Sequence, residues 1–156
     1  MADALGVAFA YINRRERTVA EIRARLEGSG FAEAEITLTL DELIELGYVD
    51  DRRYARLFVE DKRNLEQWGR ERIMRSLGER GIDRDIAERA LAEVGDGPDE
   101  ELDRACALLT QRFTRPPVDR RDRERAFGVL VRKGFGSELA ADAVRRWSDA
   151  AARRVA

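Results

Sequence analysis

Apolar side chains recur along this chain with the spacing of one helix face, and long alternating runs of β-branched residues are absent. The stripe of Ile73, Met74 and Leu77 is one example, and it lies between turn residues that favour helix ends. Reading all such stripes in order predicts nine amphipathic helices in three groups of three. The hydrophobic pattern therefore predicts an all-α protein.

Three stretches of the chain share one plan, in which a helix ends at a Gly, a large apolar residue follows, and a second helix begins. The glycines are Gly30, Gly81 and Gly134, which are 51 and 53 residues apart. Self-similarity on about this scale is typical of stacked supersecondary units. We predict three tandem three-helix repeats, at 1–49, 50–95 and 96–156, forming an elongated body whose curvature the sequence leaves open. The apolar anchors align as Leu26, Leu77 and Leu130 before the glycines, and Phe31, Ile82 and Phe135 after them.

The composition argues against an enzyme. The chain has no His, a single Cys (Cys106) and no Gly-rich phosphate loop, so the commonest general base and the usual zinc ligands are missing. We therefore expect no catalytic site, no metal site and no cofactor. A chain with one Cys forms no internal disulfide, which fits a reducing cytoplasm. No apolar run is long enough to span a membrane, and no secretory signal precedes the first stripe.

The central part of the chain carries a recognisable signature. "GYVDDRRYARLFVEDKRN" at 47–64 and "GRERIMRSLGERGIDRDIAERAL" at 69–91 resemble the RecX family in the Gly-aromatic-aliphatic start, the paired Asp, the basic residue, and the Gly-Ile pair before the last helix. The resemblance implies an all-helical protein of three tandem three-helix repeats. It also implies binding to the RecA–DNA filament and modulation of it, usually by inhibition, in DNA repair and the SOS response.

The candidate partner-binding residues are basic. Arg52, Arg56 and Arg63 fall on one face of the fourth helix, while Tyr54, Leu57 and Phe58 form its apolar stripe, so the three arginines are expected to be exposed. A solvated helix face balanced by nearby acids is the alternative explanation. The first basic patch comprises Arg52, Arg53, Arg56, Lys62, Arg63, Arg70, Arg72 and Arg75. The second basic patch comprises Arg120, Arg121, Arg125, Arg132 and Lys133.

Three neighbouring positions have simpler explanations. Asp50 or Asp51 is expected to cap the helix that follows them, because adjacent residues at a helix start do not point together as a metal pair would. Trp68 either packs the turn between two helices or offers a stacking surface for a base. The sequence favours packing and leaves stacking open.

Two functions from different classes remain open at this stage. One is a regulator that lodges along the RecA filament. The other is a sequence-tolerant helical module that binds single-stranded or double-stranded DNA directly, without RecA. Residues 1–49 carry 5 basic and 9 acidic side chains, a net charge of −4 that fits direct DNA binding poorly, and a passive scaffold also stays open. No large uncovered apolar stripe requires a dimer, so a monomer is expected.

Overall fold

The computed structural model describes residues 2–155. Met1, the first residue of the first predicted repeat, and Ala156, the last residue of the third, lie outside the described residues. Within that range the chain forms nine α-helices and no strand, which confirms the predicted all-α class. None of these described helices is long and apolar enough to cross a membrane. The helices are α1 (Ala4–Ile12), α2 (Val19–Gly28), α3 (Glu33–Glu45), α4 (Asp51–Asn64), α5 (Arg70–Glu79), α6 (Arg84–Val94), α7 (Pro98–Arg112), α8 (Arg120–Lys133) and α9 (Ser137–Val155).

The three aligned glycines sit at the same kind of helix end. Gly30, Gly81 and Gly134 have φ angles of +86°, +80° and +99°, in the left-handed region that only Gly adopts without strain. The apolar residue after each Gly then donates its backbone N–H to the carbonyl of the anchor Leu, as in a Schellman motif. The alignment made from sequence is thereby confirmed. The bonds run from Phe31 to Leu26, from Ile82 to Leu77 and from Phe135 to Leu130, at 3.3, 3.0 and 3.0 Å.

The chain divides into two compact units. The first contains the residues up to Phe58 together with Ser76–Ala90, and the second contains Val59–Arg75 together with the residues from Leu91 onward. Each of α4, α5 and α6 therefore supplies residues to both units. The repeat boundaries at 49/50 and 95/96 stay a prediction.

Each unit has an apolar core that follows the predicted stripes. In the first unit, Ile22, Leu26 and Leu43 are fully buried, and the side chains of α1 pack against them. In the second unit, Leu109 and Leu130 are fully buried among residues of α7, α8 and α9. Burying one such side chain contributes about 1.5–3 kcal/mol. These helices are therefore held mainly by their shared apolar faces.

The start of α2 is bound by the first residue of α4 and by Arg80, the residue that follows α5, all within the first unit. The backbone N–H of Val19 donates to Asp51 Oδ1 at 2.9 Å, and the hydroxyl of Thr18 donates to the carbonyl of Arg80 at 2.6 Å. Thr18 Oγ1 also accepts from the N–H of Glu21, whose carboxylate accepts from the N–H of Thr18, completing a capping box. We name Thr18, Val19, Asp51 and Arg80 the first junction.

The start of α5 is bound in the same manner by α7 and α8, all within the second unit. The N–H of Arg70 donates to Glu101 Oε1 at 2.9 Å, and the N–H of Gly69 donates to the carbonyl of Lys133 at 2.8 Å. A Cβ at Gly69 would lie 2.6 Å from the backbone of Gly134, so only Gly permits this approach. We name Gly69, Arg70, Glu101 and Lys133 the second junction.

Candidate interaction surface

The first basic patch begins on the first turn of α4, in the first unit. Asp50 Oδ1 accepts from the N–H groups of Arg52 and Arg53 at 3.0 and 3.1 Å, which confirms its predicted capping role. The side chains of Arg52 and Arg56 are exposed. Arg53 is half-buried and pairs with Glu16 at 3.5 Å. This turn therefore presents two exposed guanidinium groups.

The predicted exposure of Arg63 is wrong. Arg63 is only 6% exposed, and its guanidinium donates to the carbonyl of Gly95 at 2.8 Å and pairs with Glu101 at 3.2 Å and Asp96 at 3.4 Å. Burial, together with the nearby Arg104 guanidinium, lowers its pKa despite these acidic partners. The helical spacing gave its face on α4 correctly, but the first turn of α7 covers that position. Arg63 is a structural residue of the second unit.

The apolar side of α4 is also narrower than predicted. Tyr54 is 8% exposed and its ring stacks on Phe58, with centroids 6.1 Å apart, whereas Leu57 is 45% exposed. The guanidinium of Arg80 lies 4.8 Å from the Phe58 ring centroid. The prediction that Leu57 joins the buried stripe is therefore wrong, because neighbouring helices pack against the Tyr54 side of α4 and leave the Leu57 side in solvent.

Members of both patches meet in the second unit at the turn between α4 and α5. Arg72 places its guanidinium 4.0 Å from the Trp68 ring centroid, and the ammonium of Lys62 lies 4.8 Å from the same centroid. Arg72 donates to the carbonyl of Arg132 at 3.1 Å, and Lys133 donates to the carbonyl of Glu66 at 2.7 Å. We name these cations and the indole the basic corner: Lys62, Trp68, Arg72, Arg132 and Lys133.

The other predicted residues do not join the basic corner as exposed cations. Arg70 pairs with Asp96 at 3.5 Å, and Arg75 is exposed on α5. Arg120 pairs with Glu124 at 2.9 Å on the first turns of α8. The remaining two members of the second patch, Arg121 and Arg125, are exposed near that same end of α8, whereas Arg132 lies about 10–16 Å further along the helix axis at 1.5 Å per residue. The second patch is therefore split between the two ends of α8.

The basic corner offers hydrogen-bond donors around one aromatic ring. Guanidinium and ammonium groups donate and never accept, so a partner must supply acceptors such as phosphate or carboxylate oxygens. A cation held over an indole is stabilised by about 0.5–2 kcal/mol, which fixes the position of Arg72 before a partner arrives. Among residues 2–155, no group of three metal-ligating side chains comes together. The corner is suited to binding an anion.

Sequence reasoning identified the members of the basic corner and missed their assembly. The sequence places Lys62 and Arg72 in one patch and Arg132 and Lys133 in another, because at least 60 residues separate the two pairs in the chain. The available signal was the glycine pair: Gly69 and Gly134 bring the two turns within backbone contact. Trp68 lies half-buried at this turn with the two cations beside its ring, and the packing role favoured from sequence stays a prediction.

Two family models match this chain. The model described as "RecX, first three-helix domain" matches residues 4–43, and the one described as "RecX, second three-helix domain" matches residues 50–91. Among curated relatives, the "Regulatory protein RecX" of Chromohalobacter salexigens is 34% identical over 131 residues, which cover 84% of each chain. The protein of the same description from Mycobacterium sp. (strain JLS) is 30% identical over 139 residues, covering 85% of this chain and 75% of the relative.

Two solved structures have a similar fold. The crystal structure of RecX from Lactobacillus salivarius superposes with a TM-score of 0.77 at 24% identity, covering 92% of this chain and 94% of that one. A crystal structure of regulatory protein RecX superposes with a TM-score of 0.70 at 25% identity, covering 87% of this chain and 67% of that one. The arrangement of helices is thus shared beyond the two matched domains.

Proposed function

The chain belongs to the RecX family of regulatory proteins, and on this premise we propose that it binds the RecA–DNA filament in the cytoplasm and inhibits RecA. The inhibited activities are recombination, ATP hydrolysis and coprotease function in DNA repair and the SOS response. In this proposal the protein is a regulator without a catalytic site. It acts by binding one filament state more tightly than another, because differential affinity is what shifts such an equilibrium.

The basic corner is the observation that carries this proposal to particular residues. Arg72 is held against Trp68 and Arg132 is exposed at the end of α8, so their donors are available to phosphate or carboxylate oxygens on a filament. Arg52 and Arg56 on α4 are secondary candidates, because both are exposed. Arg63 is left out, because it is buried in an ion-pair network.

A binding assay tests the proposal. The protein is titrated onto labelled single-stranded DNA, bare or coated with RecA, at about 0.15 M salt, where charges beyond about 8 Å are screened. We expect binding to the coated strand and a fall in RecA ATPase. Arg132→Glu should weaken that binding about fivefold, which corresponds to about 1 kcal/mol. The matched control is Arg89→Glu, an exposed arginine on α6, which should leave binding unchanged.

Direct DNA binding without RecA is the second candidate function. Trp68 between two cations is the observation that favours it, because stacking on an aromatic ring and cationic contacts to the backbone are how sequence-tolerant proteins hold single strands. Equal binding to bare and coated DNA, lost steeply as salt rises, would support this candidate and contradict the filament proposal. Equal effects of Arg132→Glu and Arg89→Glu would remove the basic corner from either function.

A further inference from the structure

A second site with a different character lies at the turn between α7 and α8. Phe113, Pro116 and Trp147 form the apolar floor of a cleft with two lobes of about 180 and 330 Å³. The Phe113 and Trp147 rings pack against each other, with centroids 5.5 Å apart and planes at 43°, and both contact the core of the second unit. Adjacent prolines fix the turn, so the cleft is formed before any ligand binds.

The rim of the cleft is cationic. Arg112, Arg115 and Arg125 line the smaller lobe, and Arg154 joins Arg115 at the larger one. Within residues 2–155, none of these four guanidinium groups has a hydrogen-bond or ion-pair partner. The single carboxylate of the lining, Asp122, already accepts the N–H of Val118 at 3.0 Å. The cleft therefore offers unengaged donors around an apolar floor.

The equivalent helix starts in the first two repeats each bind a carboxylate. At the first junction the start of α2 binds the carboxylate of Asp51, and at the second junction the start of α5 binds that of Glu101. The corresponding helix in the third repeat is α8, which is capped by its own Asp119. Within the part of the chain that the structure describes, no carboxylate from a following helix is bonded there. The cleft lies beside these first turns of α8 and is lined by arginines instead.

We propose that this cleft is a docking site for an acidic peptide segment of a partner protein, with one apolar side chain seated on the floor formed by Phe113, Pro116 and Trp147. Carboxylates on either side of that anchor pair with Arg115 and Arg125. The larger lobe suits the anchor, because Ala150 and Ala151 extend its apolar lining and a space of about 150 Å³ is enough for a benzene ring. A stacked nucleobase fits less well, because the Phe113 and Trp147 rings already pack against each other and against the core of the second unit. The site stands apart from the basic corner and does not depend on the proposed function.

The test uses the full chain and needs neither RecA nor DNA. A labelled peptide of mixed Asp and Glu with one central Phe is titrated by fluorescence anisotropy at about 0.15 M salt. We expect saturable binding, weakened at least about tenfold when the peptide Phe is changed to Ala. No binding, or equal affinity of the two peptides, would overturn the proposal. Tighter binding of an oligodeoxythymidine of similar length would also overturn it, in favour of a nucleic-acid site.

Paired variants locate the site. Arg115→Gln with Arg125→Gln should weaken peptide binding about fivefold to tenfold, whereas Arg121→Gln with Arg123→Gln, which removes the same charge from exposed positions outside the lining, should leave it unchanged. Ala150→Trp should block the larger lobe, and Ala152→Trp, on the same helix outside the lining, should not. Unchanged melting temperatures show that each variant folds. Equal effects within either pair would contradict the assignment.

Discussion

The two junctions hold equivalent helix starts with different groups. At the first, Val19 donates to Asp51, and at the second, Arg70 donates to Glu101, both at 2.9 Å. The residue before each of these donors bonds a carbonyl at the end of a later helix. The hydroxyl of Thr18 donates to the carbonyl of Arg80, and the backbone N–H of Gly69 donates to the carbonyl of Lys133. The unsatisfied N–H groups of a helix start need acceptors. Acceptors are therefore required at the same helix start in both repeats, while the residues that supply them differ.

The difference lies in what surrounds the carboxylate. Asp51 has no ion-pair partner among the described residues, and its carboxylate accepts the backbone N–H of Val19. Glu101 is 5% exposed and binds two cations, Arg63 at 3.2 Å and Arg104 at 3.1 Å. A buried carboxylate of this kind is tolerated only with its cations in place. The second junction should therefore be the more sensitive of the two to substitution.

The largest effect is expected from Glu101→Leu. The substitution leaves the buried Arg63 with Asp96 as its remaining acidic partner and removes the acceptor of the Arg70 N–H, so we expect a loss of about 3 kcal/mol in the free energy of unfolding. Urea titration followed by circular dichroism measures it. The control is Asp103→Leu on the same helix, where an exposed pair with Arg146 is worth less than about 1 kcal/mol. Similar losses for the two variants would contradict the role given to Glu101.

Gly69→Ala should be next in size. The added Cβ would lie 2.6 Å from three backbone atoms of Gly134 and Phe135, which cannot rotate away, so we expect a loss of about 2–3 kcal/mol from overpacking. The control is Gly78→Ala in α5, where nothing lies within 4 Å of the new Cβ and higher helix propensity should stabilise by about 0.5–1 kcal/mol. Thermal melts of both variants measure the difference. A neutral Gly69→Ala would mean that the second junction tolerates separation of its two turns.

A smaller loss is expected at the first junction from Thr18→Ala. The change removes the N-cap acceptor of α2 and the hydroxyl bond to Arg80, which together are worth about 1–2 kcal/mol. Thr37→Ala, at an exposed position inside α3, is the matched control and should change stability by no more than about 0.5 kcal/mol. The measurement is the urea midpoint at constant m-value. A Thr18→Ala loss no greater than the control's would show that neither bond stabilises the fold.

The smallest effects concern pH, and the two carboxylates near the first junction should differ in sign. Burial raises the pKa of Asp51 above its ordinary value of 3.8, although the N–H of Val19 opposes the rise. Burial also favours a higher pKa for Glu21, but hydrogen bonds from Arg15 and the Thr18 N–H outweigh it, so its pKa falls below the ordinary 4.5. Asp51 therefore costs stability as pH rises above 3.8. Glu21 contributes stability above 4.5 that is lost as pH falls through its folded-state pKa.

These signs are tested with amide variants, which keep an acceptor oxygen and remove the charge. Relative to the unmodified protein, Asp51→Asn should gain stability as pH rises from about 3 to 6, and Glu21→Gln should lose it. Melting temperatures across this range give the two slopes. Slopes of the same sign would contradict the assigned environments.

The repeat plan was readable from the sequence because its signals are local. Gly30, Gly81 and Gly134 follow their anchor leucines by four residues, and a helix end of this kind is decided within about six residues. The fate of Arg63 was not readable, because its partner Glu101 lies 38 residues away and burial depends on where α7 packs. The prediction that Leu57 is buried is wrong for the same reason, because its burial also depends on where other helices pack. Helical periodicity shows on which face of a helix a residue lies, but it does not show which faces other helices cover.

The basic corner shows the same limit at a larger distance. All its cations are candidates from the sequence. Arg72, however, donates to the carbonyl of Arg132, which is 60 residues away, and the close approach of Gly69 to Gly134 allows this bond. Pattern reasoning grouped cations by position along the chain. The structure groups Lys62 and Arg72 with the end of α8 and leaves Arg121 and Arg125 at its start.

The direction of the junctions has a consequence for biosynthesis. The acceptor for the N–H of Val19 is made 32 residues after it, and the acceptor for the Thr18 hydroxyl 62 residues after it. At about 5–20 residues per second, Thr18 leaves the ribosome roughly 3–12 seconds before Arg80 does. Asp51 follows about halfway through that interval, and until then the bonds between Thr18 and Glu21 are the described cap of α2. In the order of synthesis, the two partners of the capping box are therefore present before the acceptor of either first-junction bond has been made.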